Sequence, residues 1–286
     1  MKIKILADST ADLTKEICEK FDVEQLPLNI SLGDNVYVDG ITINPEMIYD
    51  FVKETNQLPK TSAINQLTYE ETYQKIFDAG YEGIVHFTIS SEMSTCYNNA
   101  VNASQQFKNV AVVDSRTLST GIALLAMYAS ELAQKGDTTP AEIAQKVEKR
   151  IPFDQTSFVL DKLNYLHKGG RCSAVALLGA NILHIKPSIK VENGKMGIDK
   201  KYFGNLDKAI IKYVQDTLQK YDKPDNTRVF ITHTKIDSKI VDAVKDYLKQ
   251  NTQFKEIIET TAGSTITCHC GSNTLGILYL NDGEQK

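Results

Sequence analysis

Three times in its first half this sequence runs from an apolar stretch into a loop rich in Asp, Ser and Thr and then into a helical pattern. Lys2 to Ala7 ends in Asp8-Ser9-Thr10 before the amphipathic stretch Leu13 to Phe21, which Ser9 or Thr10 is placed to cap. Gly83 to Phe87 runs into the hydroxyls of Thr88 to Thr95, and no Gly or Pro from Met93 onward stops a helix. Asn109 to Val113 leads through Asp114 to Gly121 into the apolar helix Ile122 to Ala133. Such repetition is the βαβ alternation of a parallel sheet, whose ligand crevice lies beyond the C-terminal strand ends. All three hydroxyl loops are therefore expected on one edge. The first N–H groups of a helix lack partners within it and carry partial positive charge. The seam from Gly83 to Ala100 thus reads either as an anion site for a carboxylate or phosphate, or as plain helix capping.

Between these units, Val23 to Leu32 reads as a second strand, and Gly33-Asp34-Asn35 turns it into a short hairpin through Val36 to Val38. Pro45 starts a helix, Leu58 to Ala63 reads as a loop, and Thr68 to Ala79 is helical. Pro140 to Arg150 is a further helix and Ile151 to Thr156 a connector, after which the pattern changes. Phe158 to Leu160 is strand-like, and Ser188 to Asp199 has a strand–turn–strand shape around Asn193-Gly194. Helices Leu206 to Tyr221 and Ile236 to Leu248 flank the strand Arg228 to Thr232, and strands follow at Glu256 to Thr261 and Leu275 to Leu280. The expectation is an α/β chain of two domains. Residues 1–156 form a three-layer α/β/α parallel-sheet domain, and 157–286 a two-layer α/β domain with a mixed sheet.

Composition narrows the function classes. With 32 basic and 36 acidic residues the net charge is -4, so no global field draws the chain to nucleic acid. The apolar run Ala174 to Ile185 is too short and too interrupted to span a bilayer, and the N-terminus lacks the apolar stretch of a signal peptide. Five cysteines in no disulfide-scaffold spacing fit reduced thiols, which places the protein in the cytoplasm.

Beyond the hydroxyl loops, His167-Lys168-Gly169-Gly170-Arg171 groups cationic side chains around two glycines. It reads as an anion cradle or as a helix C-terminus stopped by glycine. Cys268-His269-Cys270 lacks the second pair that a structural zinc site needs, so His269 reads as a single titratable group on a loop or as a buried structural histidine. Ser94 or Cys96 with His269 and Asp114 would make a hydrolytic triad, although G-x-S-x-G is missing. Ala174 to Ile185 would line an apolar tunnel or pack in the core.

Taken in order, Asp8-Ser9-Thr10-Ala11-Asp12-Leu13, Lys60-Thr61-Ser62, Ile89-Ser90-Ser91 with Ser94, Val113-Asp114-Ser115, Leu163 to Leu166 running into Lys168-Gly169-Gly170-Arg171, and His269 with Gly271 resemble the DegV family nearly end to end. These are fatty-acid-binding proteins that include the acyl-carrying subunit of bacterial fatty acid kinase. The resemblance implies a pocket between the two domains that encloses a long-chain fatty acid such as palmitate, with no cofactor. Thr61 and Ser94 would hydrogen-bond its carboxylate, and Arg171 and His269 would lie near the head group. It further implies a dihydroxyacetone-kinase-like ATP-binding partner that converts the bound acid to an acyl phosphate. A stand-alone storage or sensing protein and a serine or cysteine esterase are the alternatives. Two departures from the family pattern stand out: Met93-Ser94-Thr95-Cys96-Tyr97 in place of Leu-Ser-Gly-Thr-Tyr, and His269-Cys270-Gly271-Ser272-Asn273 in place of His-x-Gly-Pro-Gly.

Overall fold

The computed structural model describes residues 1–172 and 185–283; apart from Ile185, the apolar run expected at 174–185 lies outside them. The first half runs β1 (Ile3–Asp8), α1 (Lys15–Phe21), β2 (Val23–Leu26), β3 (Asn29–Leu32), β4 (Asn35–Val38), α2 (Pro45–Thr55), β5 (Lys60–Ser62), α3 (Gln66–Asp78), β6 (Gly83–Thr88), α4 (Cys96–Ser104), β7 (Val110–Asp114), α5 (Thr120–Gln134) and α6 (Pro140–Glu148). The second runs β8 (Asp154–Leu160), α7 (Asn164–Gly169), β9 (Ile185–Glu192), β10 (Lys195–Phe203), α8 (Leu206–Lys220), β11 (Arg228–His233), α9 (Ser238–Asn251), β12 (Glu256–Thr261), α10 (Ser264–Cys270) and β13 (Thr274–Leu280).

The expected parallel sheet is present, in the order β2-β1-β6-β7 with every pair parallel. The mixed sheet has the order β10-β9-β8-β13-β11-β12, and only β11 and β12 run parallel in it. Between the two sheets lies α5, buried from Thr120 to Met127 and packed on strands of both. Its apolar residues occur on every side, as a helix with no solvent face requires. The outer face of the mixed sheet is closed by α8 and α9 through Ile210, Val214, Val244 and Leu248.

Local departures from the expected elements have identifiable causes. Pro27 has no N–H to donate, so Val23 to Leu32 breaks into β2, which joins the parallel sheet, and β3, which pairs antiparallel with β4 in a separate small sheet. The stretch expected as a loop around Lys60 is strand β5, completed by pairing of Thr61 opposite Ile30 of β3. Ser9–Ala11 forms a 3-10 turn, so α1 is capped instead by Thr14, whose hydroxyl oxygen accepts from Ile17 N–H at 3.3 Å. Tight turns in which Met93 and Ser94 N–H donate to Ser90 C=O delay α4 until Cys96. Ile151–Phe153 is a 3-10 turn rather than an open connector, and β8 begins at Asp154, so the division expected after residue 156 falls inside a strand. Among the described residues no helix is long and apolar enough to cross a membrane.

Candidate functional site

Because β1, β6 and β7 are parallel neighbours, their three hydroxyl loops do open on one edge, facing the second half of the chain. Three of those hydroxyls hold the halves together. Ser90 Oγ donates to Gly194 C=O at 2.8 Å, Thr117 Oγ1 donates to Thr156 Oγ1 at 2.9 Å, and Thr120 and Thr232 share a hydrogen bond at 2.6 Å. Ser91 is taken by Asp114, which accepts from its N–H at 3.0 Å and from its hydroxyl.

What remains open is a small cavity between these loops, β5, α10 and the end of α7. Leu28, Ile89, Met93, Leu118, Leu166, Met196 and Ile266 make most of its wall apolar. The four side chains expected at the site from sequence, Thr61, Ser94, Arg171 and His269, all line it. Thr61 reaches it because β5 is pinned to β3, and its Oγ1 lies 2.9 Å from His269 Nε2. His269 sits in the last turn of α10, not on a loop. Burial first, and the positive charge of Arg171 second, hold its pKa down at about 4, so the ring is neutral at pH 7. Its Nδ1 is buried with no hydrogen-bond partner and faces Gly169, where a Cβ would come within 2.6 Å. A buried donor left unpaired costs more than a bare lone pair, so the proton belongs on Nε2. His269 then donates to Thr61 Oγ1, and the Thr61 hydroxyl hydrogen is left free to donate into the cavity.

Ser94 Oγ accepts from Cys96 N–H at 3.3 Å and directs its hydroxyl toward Cys96 Sγ at 3.2 Å, a weak acceptor that a carboxylate would readily displace. Arg171 is exposed at the mouth, with Nη1 donating to Gly169 C=O at 2.7 Å. Its position follows from α7, which stops where Gly170 takes a left-handed conformation (φ +69°), so the glycine pair does serve as a helix end and also delivers Arg171. His167 and Lys168 are exposed and do not line the cavity.

A second cavity shares Leu118, Ile266 and Cys270 with the first and continues between Phe158, Leu278 and Gly276 of the mixed sheet, with Ser119, Thr232, Thr234 and Thr274 also in its wall. Thr61, Ser94, Arg171 and His269 line the first cavity and not the second. Thr10 and Thr265 also line the first cavity, and Thr10 Oγ1 is buried without a hydrogen-bond partner. Thr10 stood in the first hydroxyl loop of the sequence, whereas nothing in the local pattern pointed to Thr265 or Met196.

The hydrolytic triad is not assembled. Asp114 is held by Ser91 and Arg116, His269 pairs with Thr61 rather than Ser94, and burial together with the charge of Asp8 pushes the Cys96 thiol up to about 11. Cys268 packs with Ile30 and Ile48 while Cys270 faces the cavities, and among the described residues no group of three His, Cys, Asp or Glu is placed to hold a metal ion.

Known proteins are similar to nearly the whole of this chain in sequence and fold. A protein of Thermotoga maritima named a fatty acid-binding protein is 32% identical over 288 residues, covering 96% of each chain. The crystal structure of a DegV lipid-binding protein from the same organism superposes with a TM-score of 0.84 at 30% identity, covering 98% of both chains. A stearic-acid-binding protein from Eubacterium ventriosum gives 0.83 at 25% identity, again with 98% of each covered. A family model described as uncharacterised proteins of the DegV family matches residues 2–282, and the chain belongs to that family.

Proposed function

We propose that this protein binds a long-chain fatty acid, with the carboxylate at Thr61, Ser94 and Arg171 and the acyl tail running past Leu118 and Ile266 toward the second cavity. The observation that carries the reading is the gathering of Thr61, Ser94 and Arg171 around a first cavity whose wall is otherwise mostly apolar. A carboxylate entering that space must exchange water for other donors, and the Thr61 hydroxyl, oriented by His269, and the Ser94 hydroxyl are in place to supply them. Each methylene buried contributes about 0.8 kcal/mol, so the tail supplies most of the affinity and the hydroxyls fix the direction of entry. The fatty-acid ligands named for the relatives support the same ligand class.

The exposed guanidinium of Arg171 at the mouth supports a further step, in which the bound carboxylate is presented to an ATP-binding kinase partner and leaves as an acyl phosphate. Arg171 would neutralise charge gathering on the transferred phosphoryl group, while neutral His269 keeps Thr61 oriented. Mass spectrometry of a denatured, solvent-extracted preparation should release a long-chain fatty acid, and a consistently empty protein that also fails to bind added palmitate defeats the reading. Ser94→Ala should weaken palmitate binding about 10- to 150-fold, by loss of one hydrogen bond to a charged group. Arg171→Ala should cut acyl phosphate formation with a cognate kinase far more than it cuts palmitate binding. Retained binding with no acyl phosphate from the wild type would leave a storage or sensing protein instead.

A further inference from the structure

Two buried carboxylates from the first half converge on the start of α10, the helix that carries Thr265 and His269 into the cavity. Asp12 Oδ1 accepts from Gly263 N–H at 2.8 Å, and its Oδ2 accepts from the Ser119 hydroxyl. Asp39 Oδ1 accepts from Ser264 N–H at 3.0 Å; its Oδ2 accepts from Thr265 N–H at 3.3 Å, from the Thr265 hydroxyl at 2.7 Å and from the Ser9 hydroxyl at 2.8 Å. Three successive N–H groups that a helix start leaves unpaired are thereby satisfied from across the interface. Each carboxylate is only 5% exposed, and among the described residues neither has a Lys, Arg or His ion-pair partner. A Cβ on Gly263 would meet Asp12 Oδ1 at 3.1 Å and Asp39 Oδ1 at 3.8 Å, so both acids close on the same point.

We propose that Asp12 and Asp39 are the seat of α10, positioning Thr265 and His269, and that the charge on Asp12 weakens the grip of the cavity on an anionic ligand. This rests on the reading of the cavity as a carboxylate site. Thr265 and His269 are four residues apart, on one face of a helix of two turns, so the head group lies within Coulomb range of the seat. The seat already holds two like charges, and a bound carboxylate adds a third. Binding an anion must then favour the protonated form of Asp12, and by reciprocity a protonated Asp12 favours the anion. Burial first, opposed by the Ser119 and Gly263 hydrogen bonds and aided by the charge of Asp39, pushes Asp12 up to about 7. Facing it are Asp39 from the segment after β4, the Cys270 thiol on α10, pushed up to about 12, and from the start of α5 only the Ser119 hydroxyl. The affinity for an anionic ligand therefore falls as pH rises through neutrality, while His269 stays neutral throughout.

The test uses hexadecane sulfonate, which stays charged at every pH in question, and hexadecanol, which stays neutral, with dissociation constants measured at pH 6 and pH 8. The sulfonate should bind about 3- to 10-fold more weakly at pH 8. Asp12→Asn, which keeps the acceptor for Gly263 N–H and cannot ionise, should abolish that change, and the alcohol should show none. A pH-independent sulfonate affinity, or an unchanged pH dependence in Asp12→Asn, overturns the proposal. Asp39→Asn should weaken both probes, because an amide cannot accept from both Ser264 and Thr265 N–H groups; unchanged binding removes Asp39 from the seat. If the variants fail to fold, carbon NMR titration of the wild type should place the Asp12 midpoint higher with the sulfonate bound than without it, and coincident midpoints refute the coupling. Failure of sulfonate and palmitate alike to bind at pH 6 defeats the carboxylate-site reading and this inference with it, whereas pH-independent binding defeats this inference alone.

Discussion

Gly169 has an ordinary helical conformation, and what its missing side chain provides is room for a ring. A Cβ there would sit 2.6 Å from His269 Nδ1, and the imidazole, held on its other side by Thr61, has nowhere to retreat. Gly169→Ala should therefore lower palmitate affinity about 3- to 10-fold by tilting His269 and spoiling the Thr61 donor, although residue 169 does not line the cavity. Calorimetric titration measures it, and an unchanged affinity would show that the orientation of His269 is irrelevant to binding. This is also the scale at which the sequence was most informative. Thr61, Ser94, Arg171 and His269 stand in the short motifs that carry the family resemblance, and each lines the cavity. Asp39 could not be read in the same way: it lies beyond a three-strand hairpin sheet, and its partners, Ser264 and Thr265, come from the other end of the chain.

Elements with a strong internal period matched their expected spans closely, as with α2 behind Asn44 and Pro45, α8 and α9, and the buried strands β6 and β13. The short elements were the ones missed. A three-residue strand such as β5 has no period of its own and exists only because β3 offers it a pairing edge. The β9–β10 hairpin was legible from Asn193-Gly194, but the use of its tip was not. Gly194 (φ +80°) presents its C=O to the Ser90 hydroxyl, and Arg116 Nη2 donates to Asn193 C=O, so the tip clasps the opposite loops. A Cβ at Gly194 would lie 2.6 Å from Ser90 Oγ and 2.9 Å from the Arg116 guanidinium. Gly194→Ala should cost about 1–3 kcal/mol in urea unfolding, from the positive φ and the displaced clasp together. A loss under a few tenths of a kcal/mol would mean that the clasp contributes nothing to stability.

For the molecule as a whole, the burial of acids at the interface sets how stability follows pH. Asp12 is pushed up to about 7 and Asp154 to about 6, in each case chiefly by burial. The folded protein thus keeps protons that the unfolded chain, with carboxyl groups near 3.8, has already released. Their stabilising share is complete below pH 4 and is lost as pH rises through 6 and 7. His269 acts in the opposite sense, because its folded value near 4 lies below the ordinary 6.5, and that effect is complete only by about pH 7.5. From pH 6.5 to 8 the raised acids outweigh the rest of the His269 effect, and unfolding free energy should fall by about 0.5 kcal/mol. Asp12→Asn should remove most of this fall, and an equal fall in the variant would place its source elsewhere.

The strand order carries a consequence for how such a chain is made. β13, the last of the described strands, lies at the centre of the mixed sheet between β8 and β11, and α10 immediately precedes it. A ribosome releases the parallel sheet early, yet β8 must wait for β13 until every other described strand has emerged. A chain that stops short of α10 therefore has hydroxyls but no His269 and no closed apolar wall, and the cavity first exists once α10 and β13 have been made.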